Sequence, residues 1–203
     1  MIPCRRAEDV VDPELVASVG GCLLRPSSDD EDRQLRAWCG GGLIYRVIAH
    51  VYAPTDCPAL AARVAAVQLL LSDAGCAGAS RAGVVGRISA AWLYCGTAAV
   101  GGTPPEQLVV LLPRFHAEAP AVLLTRQARL AHEDVWSVAG VRLTSPLRTA
   151  LDAVRLLTAA RASRVLDDLE TAFGVTRGQV RDALAEFGRG QRGAASPREL
   201  LRE

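Results

Sequence analysis

The chain has 203 residues, half of them hydrophobic but only 4% aromatic, with a formal charge of +1. That length suits one sizeable core, or a core with a small appendage, built mainly from Ala, Val and Leu. The near-neutral balance excludes a chain dominated by phosphate binding, and because every basic residue is Arg and Asn is absent, the arginine content reads as the coding bias of a GC-rich genome.

In chain order, residues 1–12 read as loose, and Pro13 opens a short helix with Leu15, Val16 and Val19 as its apolar contacts, ended near Gly20-Gly21. Pro26-Ser27-Ser28 is a break. Ser28 followed three residues on by Glu31 is a capping-box pattern, and Asp29, Asp30 and Glu31 suit the first turn of a helix. That helix should run through Leu35 and Trp38 to Gly40-Gly41-Gly42. Residues 43–47 and 50–53, closed by Pro54, alternate as a hairpin.

Helix, glycine turn and hairpin follow the order of the recognition helix and wing of a winged helix-turn-helix, which would place the helix in a DNA major groove. Arg33, Arg36 and Arg46 are the cations that could contact phosphate there. Against them stands Asp29-Asp30-Glu31-Asp32, which repels phosphate at the same helix end. A module without DNA contact is the competing reading.

Residues 56–74 predict a helix with Leu60, Val64, Val67 and Leu71 on one face. Residues 75–83 read as a loop, 84–88 as a short strand, 89–94 as a helical turn carrying Trp92, and 96–105 as a Gly/Pro loop. The apolar run 108–112 is a buried strand with 122–125 as its partner. Residues 134–137 and 141–143 form a further hairpin.

The joint at 140–152, Gly-Val-Arg-Leu-Thr-Ser-Pro-Leu-Arg-Thr-Ala-Leu-Asp, turns a strand into a helix. Thr144 or Ser145 can cap it and Pro146 suits its first position. Leu147, Leu151 and Val154 share one face; Arg148, Asp152 and Arg155 recur on a neighbouring stripe, spaced to pair, and form a candidate partner-binding set. Helices over 159–173 and 177–187 follow. The fold class is therefore α/β (α+β): a winged-helix-like module over residues 1–56, a mixed-sheet domain with flanking helices over 57–190, and a basic tail over 191–203.

Cys4, Cys22, Cys39, Cys57, Cys76 and Cys95 contain no CxxC pair and no His at zinc-finger spacing, so no metal is expected. Residues 1–12 lack an apolar leader and residues 60–71 are too short and too interrupted to span a bilayer. Reduced, mostly buried thiols in a cytoplasmic protein are the expectation. His50, His116 and His132 are scattered, and no HExxH, GxSxG or Walker motif occurs. Asp167-Asp168 and Glu170 read as a solvated helix face, with Arg164 spaced to pair with Asp168. Neither an enzyme nor a cofactor is expected. Trp92 and Trp136 read as core anchors, and Trp38 as a residue able to pack the N-terminal module onto the main domain.

Four patches taken together resemble the AbiEi-type antitoxins of bacterial type IV toxin–antitoxin systems, in particular their actinobacterial relatives. They are Gly42-Leu-Ile-Tyr-Arg46 with Val51-Tyr-Ala-Pro54, Ser89-Ala-Ala-Trp-Leu93, the strand 108–113, and the joint 140–152. The resemblance covers about three quarters of the chain. It implies an N-terminal winged helix that represses its own promoter, a larger domain required for antitoxicity, and a nucleotidyltransferase toxin as cognate partner. Tyr94 stands where related chains often show His, and the N-terminal helix is more acidic than the pattern. Ser196-Pro-Arg-Glu199 is similar to the opening of a nuclease-like domain found in some relatives. The alternatives to a DNA-binding regulator are an interaction protein whose larger domain acts on a protein partner, or a shortened relative of a nuclease-bearing member.

Overall fold

The computed structural model describes residues 10–73, 83–113 and 120–190, with side chains to residue 186. Cys4, Cys76, His116 and residues 191–203 lie outside these, as does most of the expected loop over 75–83.

Helix α1 (Pro13–Gly20) starts where Asp12 accepts from the Glu14 N–H and Pro13 fills the first position. Helix α2 (Asp29–Gly40) is capped by Ser28, which accepts from the Glu31 N–H at 3.3 Å. Glu31 closes the box one residue earlier than expected: it accepts from the backbone N–H of Ser27 at 2.6 Å and from its hydroxyl at 2.8 Å. Strands β1 (Ile44–Ile48) and β2 (Val51–Pro54) form the antiparallel hairpin. Leu24 pairs with Tyr52 as an isolated bridge, so the segment before α2 is stitched to the hairpin's free edge.

Helix α3 (Ala59–Asp73) carries small and branched apolar residues around most of its circumference, because it is covered from several sides. It packs on α1 and β1 as well as on the body of the molecule. One continuous apolar core includes Val16, Val19, Val47 and Val51 together with Val64, Trp92, Leu143 and Leu166. Across the same seam, the Ala49 N–H donates to the Pro105 carbonyl at 3.0 Å, Arg46 pairs with Glu106 at 2.6 Å, and Arg25 pairs with Asp73.

The main sheet is mixed, in the order β5-β4-β3-β7-β6. Strands β4 (Leu108–Leu112) and β5 (Leu123–Gln127) are parallel. The centre is β3, only Val84–Val85, antiparallel to β4 and parallel to β7 (Val141–Thr144). Strand β6 (Val135–Val138) closes the edge as the hairpin partner of β7. The expected strand over 84–88 is cut short because Gly86 turns tightly over β4, where a Cβ would collide with the Leu111 side chain.

Helix α4 (Ile88–Cys95) then begins, followed by a four-residue helix α5 (Thr97–Val100) inside the stretch read as a plain loop. Helices α6 (Pro146–Leu156), α7 (Ala159–Phe173) and α8 (Arg177–Gly190) complete the α+β fold. Alternation splits β4: Leu108, Val110 and Leu112 face the main core, Val109 and Leu111 a small cluster on the other side.

Three aromatic expectations divide. Trp92 is fully buried, as expected of an anchor. Trp136 is half-buried, edge-on to Phe173 with ring centroids 6.1 Å apart. Trp38 is 41% exposed and does not join the module to the body; α1 on α3 does that instead. Among the described residues Cys22, Cys39, Cys57 and Cys95 are free thiols; Cys22 is exposed and the other three only partly buried, where mostly buried thiols were expected. No described helix is long and apolar enough to cross a membrane.

Candidate functional site

Two arrays of arginines and carboxylates compete for the role of functional site. The first lies on α2 and the hairpin. Arg33 and Arg36, three residues apart, share an exposed face of α2, while Arg46 lies on β1. Each is held by an acid: Arg33 by Asp30, Arg36 by Asp32 at 2.6 Å, and Arg46 by Glu106 at 2.6 Å.

Asp32 is the hub of this array. It accepts from the Tyr52 hydroxyl at 2.8 Å and lies 3.2 Å from Nδ1 of His50. Burial acts to raise its pKa, but the hydrogen bonds from Tyr52 and His50 and the charge of Arg36 prevail and hold it below the usual carboxylate value. The acidic run is thus not simply a repulsive end of α2. Glu31 closes the cap, Asp32 ties α2 to the hairpin, and Asp30 engages Arg33.

The second array gathers around α6. Ser145 caps the helix by accepting from the Arg148 N–H at 3.3 Å, and Thr149 bonds Thr144 through hydroxyl oxygens 2.8 Å apart. This fixes the rotation of the first turn and points Arg148 inward. Its side chain is 9% exposed and lies between Asp134, 3.1 Å away, and Asp152, 3.5 Å away. Asp134 sits at the end of a 3-10 turn (His132–Asp134), where it also accepts from the Ala131 N–H at 3.1 Å.

Asp152 has one oxygen facing Arg148; the other, Oδ2, is buried without a hydrogen-bond partner. Burial raises its pKa, opposed by the charges of Arg148, Arg87 and Arg155. These residues open onto a cleft of about 380 Å³, also lined by Arg129 and Gln127. Arg87 enters it from a backbone with φ 56° and ψ −134°, a conformation that costs a non-glycine residue roughly 1–3 kcal/mol. Four arginines and Asp152 line the cleft, with Asp134 paired to Arg148 behind it, so arginine remains in excess and the field favours an anionic or acidic partner surface.

Thus the structure brings Arg148, Asp152 and Arg155 to one cleft, whereas Arg33, Arg36 and Arg46 are distributed over separate ion pairs. Sequence reasoning passed over Arg87, Arg129 and Asp134. All three arrive from segments 14 to 61 positions away from Arg148, through strand pairing that no local pattern encodes. Asp167, Asp168 and Glu170 are exposed; Asp167 pairs with Arg177 at 2.6 Å. Among the described residues no cluster of His, Cys, Asp and Glu could hold a metal ion. No protein-family model matches the chain, and no curated protein is found to be similar to it.

Proposed function

We propose that the protein is an antitoxin of the AbiEi type that acts through its larger unit, using the arginine-lined cleft beside α6 to engage an acidic surface of a protein partner. The resemblance makes that partner a nucleotidyltransferase-type toxin. The observation that carries this reading is the gathering of Arg87, Arg129, Arg148 and Arg155 on one cleft, with Asp152 beside them and Asp134 behind Arg148, whereas Arg33, Arg36 and Arg46 are distributed over separate ion pairs. Association gains rate and specificity from a field of one sign, and loses both where local acids cancel it.

The test is suppression of toxicity in cells that co-express a nucleotidyltransferase-type toxin with the full-length chain. Arg129→Glu with Arg155→Glu should abolish suppression, and replacement of Arg33, Arg36 and Arg46 by Ala should preserve it. The reverse pattern sinks the proposal.

A second reading, a regulator binding its own promoter, is favoured by the wide exposure of Arg33 and Arg36, whose side chains are 78% and 63% exposed. Exposed pairs exchange partners at little cost, so phosphate could displace Asp30 and Asp32 from them. A mobility-shift titration on the upstream region at two salt concentrations checks it. Each of these arginines that contacts phosphate should add about 0.9 to the salt slope, and the triple Ala variant should lose that steepness.

A further inference from the structure

Where the hairpin meets the body of the molecule lies another cavity, of about 460 Å³. Ile44, Val47 and Pro104 give it apolar walls, and Arg63 of α3 and Trp92 of α4 line it from the body side. Nε of Arg63 and Nε1 of Trp92 are both buried without a hydrogen-bond partner.

Among the described residues no carboxylate pairs with Arg63, which is partly buried. Its interacting neighbours are the Cys95 thiol and the Tyr45 phenol. Burial pushes both groups upward, Cys95 to about 12, so neither is an anion at neutral pH. The guanidinium is nevertheless given a seat. Gly96, at φ +81°, leaves open the space that a Cβ would take, 2.7 Å from Nη1.

Drawing part of a guanidinium out of water without a counter-charge is costly, and so is burying an N–H that donates to nothing. Here both unmet groups are donors, and one is charged. What satisfies them together is a negatively charged acceptor with two oxygens, matched to the planar fork of a guanidinium. The apolar walls add a requirement for a non-polar body behind the charge.

We propose that this seam cavity binds a small organic carboxylate, its oxygens accepting from Arg63 Nε–H and Trp92 Nε1–H and its apolar body lying against Ile44, Val47 and Pro104. The site is separate from the α6 cleft and does not depend on the antitoxin reading. Because its walls come from both the hairpin and the body, an occupant stiffens the joint between them.

The full-length chain is titrated with benzoate, hexanoate and inorganic phosphate, followed by tryptophan fluorescence and thermal unfolding. Benzoate or hexanoate should saturate with a Kd of roughly 1 mM or tighter, and phosphate should bind at least about tenfold more weakly. Trp92→Phe should weaken binding at least about tenfold, the worth of one hydrogen bond to a charged acceptor. Arg63→Met should abolish binding while leaving the ligand-free melting temperature unchanged or higher, since an apolar replacement removes the unpaired charge. Arg63→Gln repeats the measurement if the Met variant does not fold. No saturation by either carboxylate, equal binding by phosphate, or undiminished binding by a folded Arg63 variant overturns the proposal.

Discussion

Helices α2 and α6 each contain an Asp and an Arg four residues apart, and the two pairs do different things. On α2, Asp32 meets Arg36 at 2.6 Å with the arginine side chain 63% exposed. On α6, Arg148 meets Asp152 at 3.5 Å with both side chains under 10% exposed. The shorter contact is the weaker one in energetic consequence, because water competes for it and salt screens it. The longer contact lies out of water, where Arg148 is shared between Asp152 and Asp134. Spacing identifies a pair; burial decides what its loss costs.

Removal of Arg148 has the heaviest consequence for stability. Arg148→Ala leaves Asp134 and Asp152 without their shared cation and should cost about 3–5 kcal/mol, read from the urea midpoint. The double variant Arg148→Met with Asp152→Leu should recover part of that loss, since the apolar pair removes two desolvation costs while Asp134 remains without its cation. A single-variant loss no larger than that of Arg36→Ala would erase the distinction between the two helices.

Next in size is Tyr52→Phe. It removes the hydroxyl that donates to the Asp32 carboxylate and should cost about 1.5–3 kcal/mol. The same hub has a pH signature. The Asp32 carboxyl is held below its ordinary value, so its stabilising contribution is present above the unfolded-state pKa and is lost as pH falls through the lower folded value. Acid titration should therefore loosen α2 from the hairpin, visible as a fluorescence change of Trp38. Asp32→Asn should remove that acid step. Smallest of all, Arg36→Ala should leave the unfolding midpoint unchanged while Asp32 keeps its bond to Tyr52.

Legibility in the sequence followed local chemistry. The starts of α2 and α6 were readable because each cap is one side chain serving a backbone N–H three residues on, and that of α1 because Pro13 suits a first helical position; the Asp12 cap was not read. The helix over 159–173 matches its expected bounds, and β4 was visible as an unbroken apolar run. By contrast, β3 keeps two residues because Leu111, 25 positions further on, crowds Gly86. The turn Thr97–Val100 stayed hidden under glycines that suggest a loop. At the candidate site, Arg148 and Asp152 were found from their spacing, but their burial was not, since it depends on β6, β7 and the turn holding Asp134. Arg63 went unnoticed for a similar reason: on α3 it reads as an interruption of an apolar face, and only the approach of Gly96 from α5's start reveals what surrounds it.

The two-residue strand β3 has a consequence for how the chain is made. Its neighbours β4 and β7 lie 23 and 56 positions further along, counted from Val85 to Leu108 and to Val141. During synthesis the parallel pair β4–β5 is complete well before the strand that flanks β3 on its other side has emerged. The sheet's centre therefore stays open, with Val85 and its apolar neighbours waiting, until about residue 144 has left the ribosome. Closure is thus a late, long-range event, the kind of step that slows folding and leaves a nascent chain dependent on being shielded until its final third arrives.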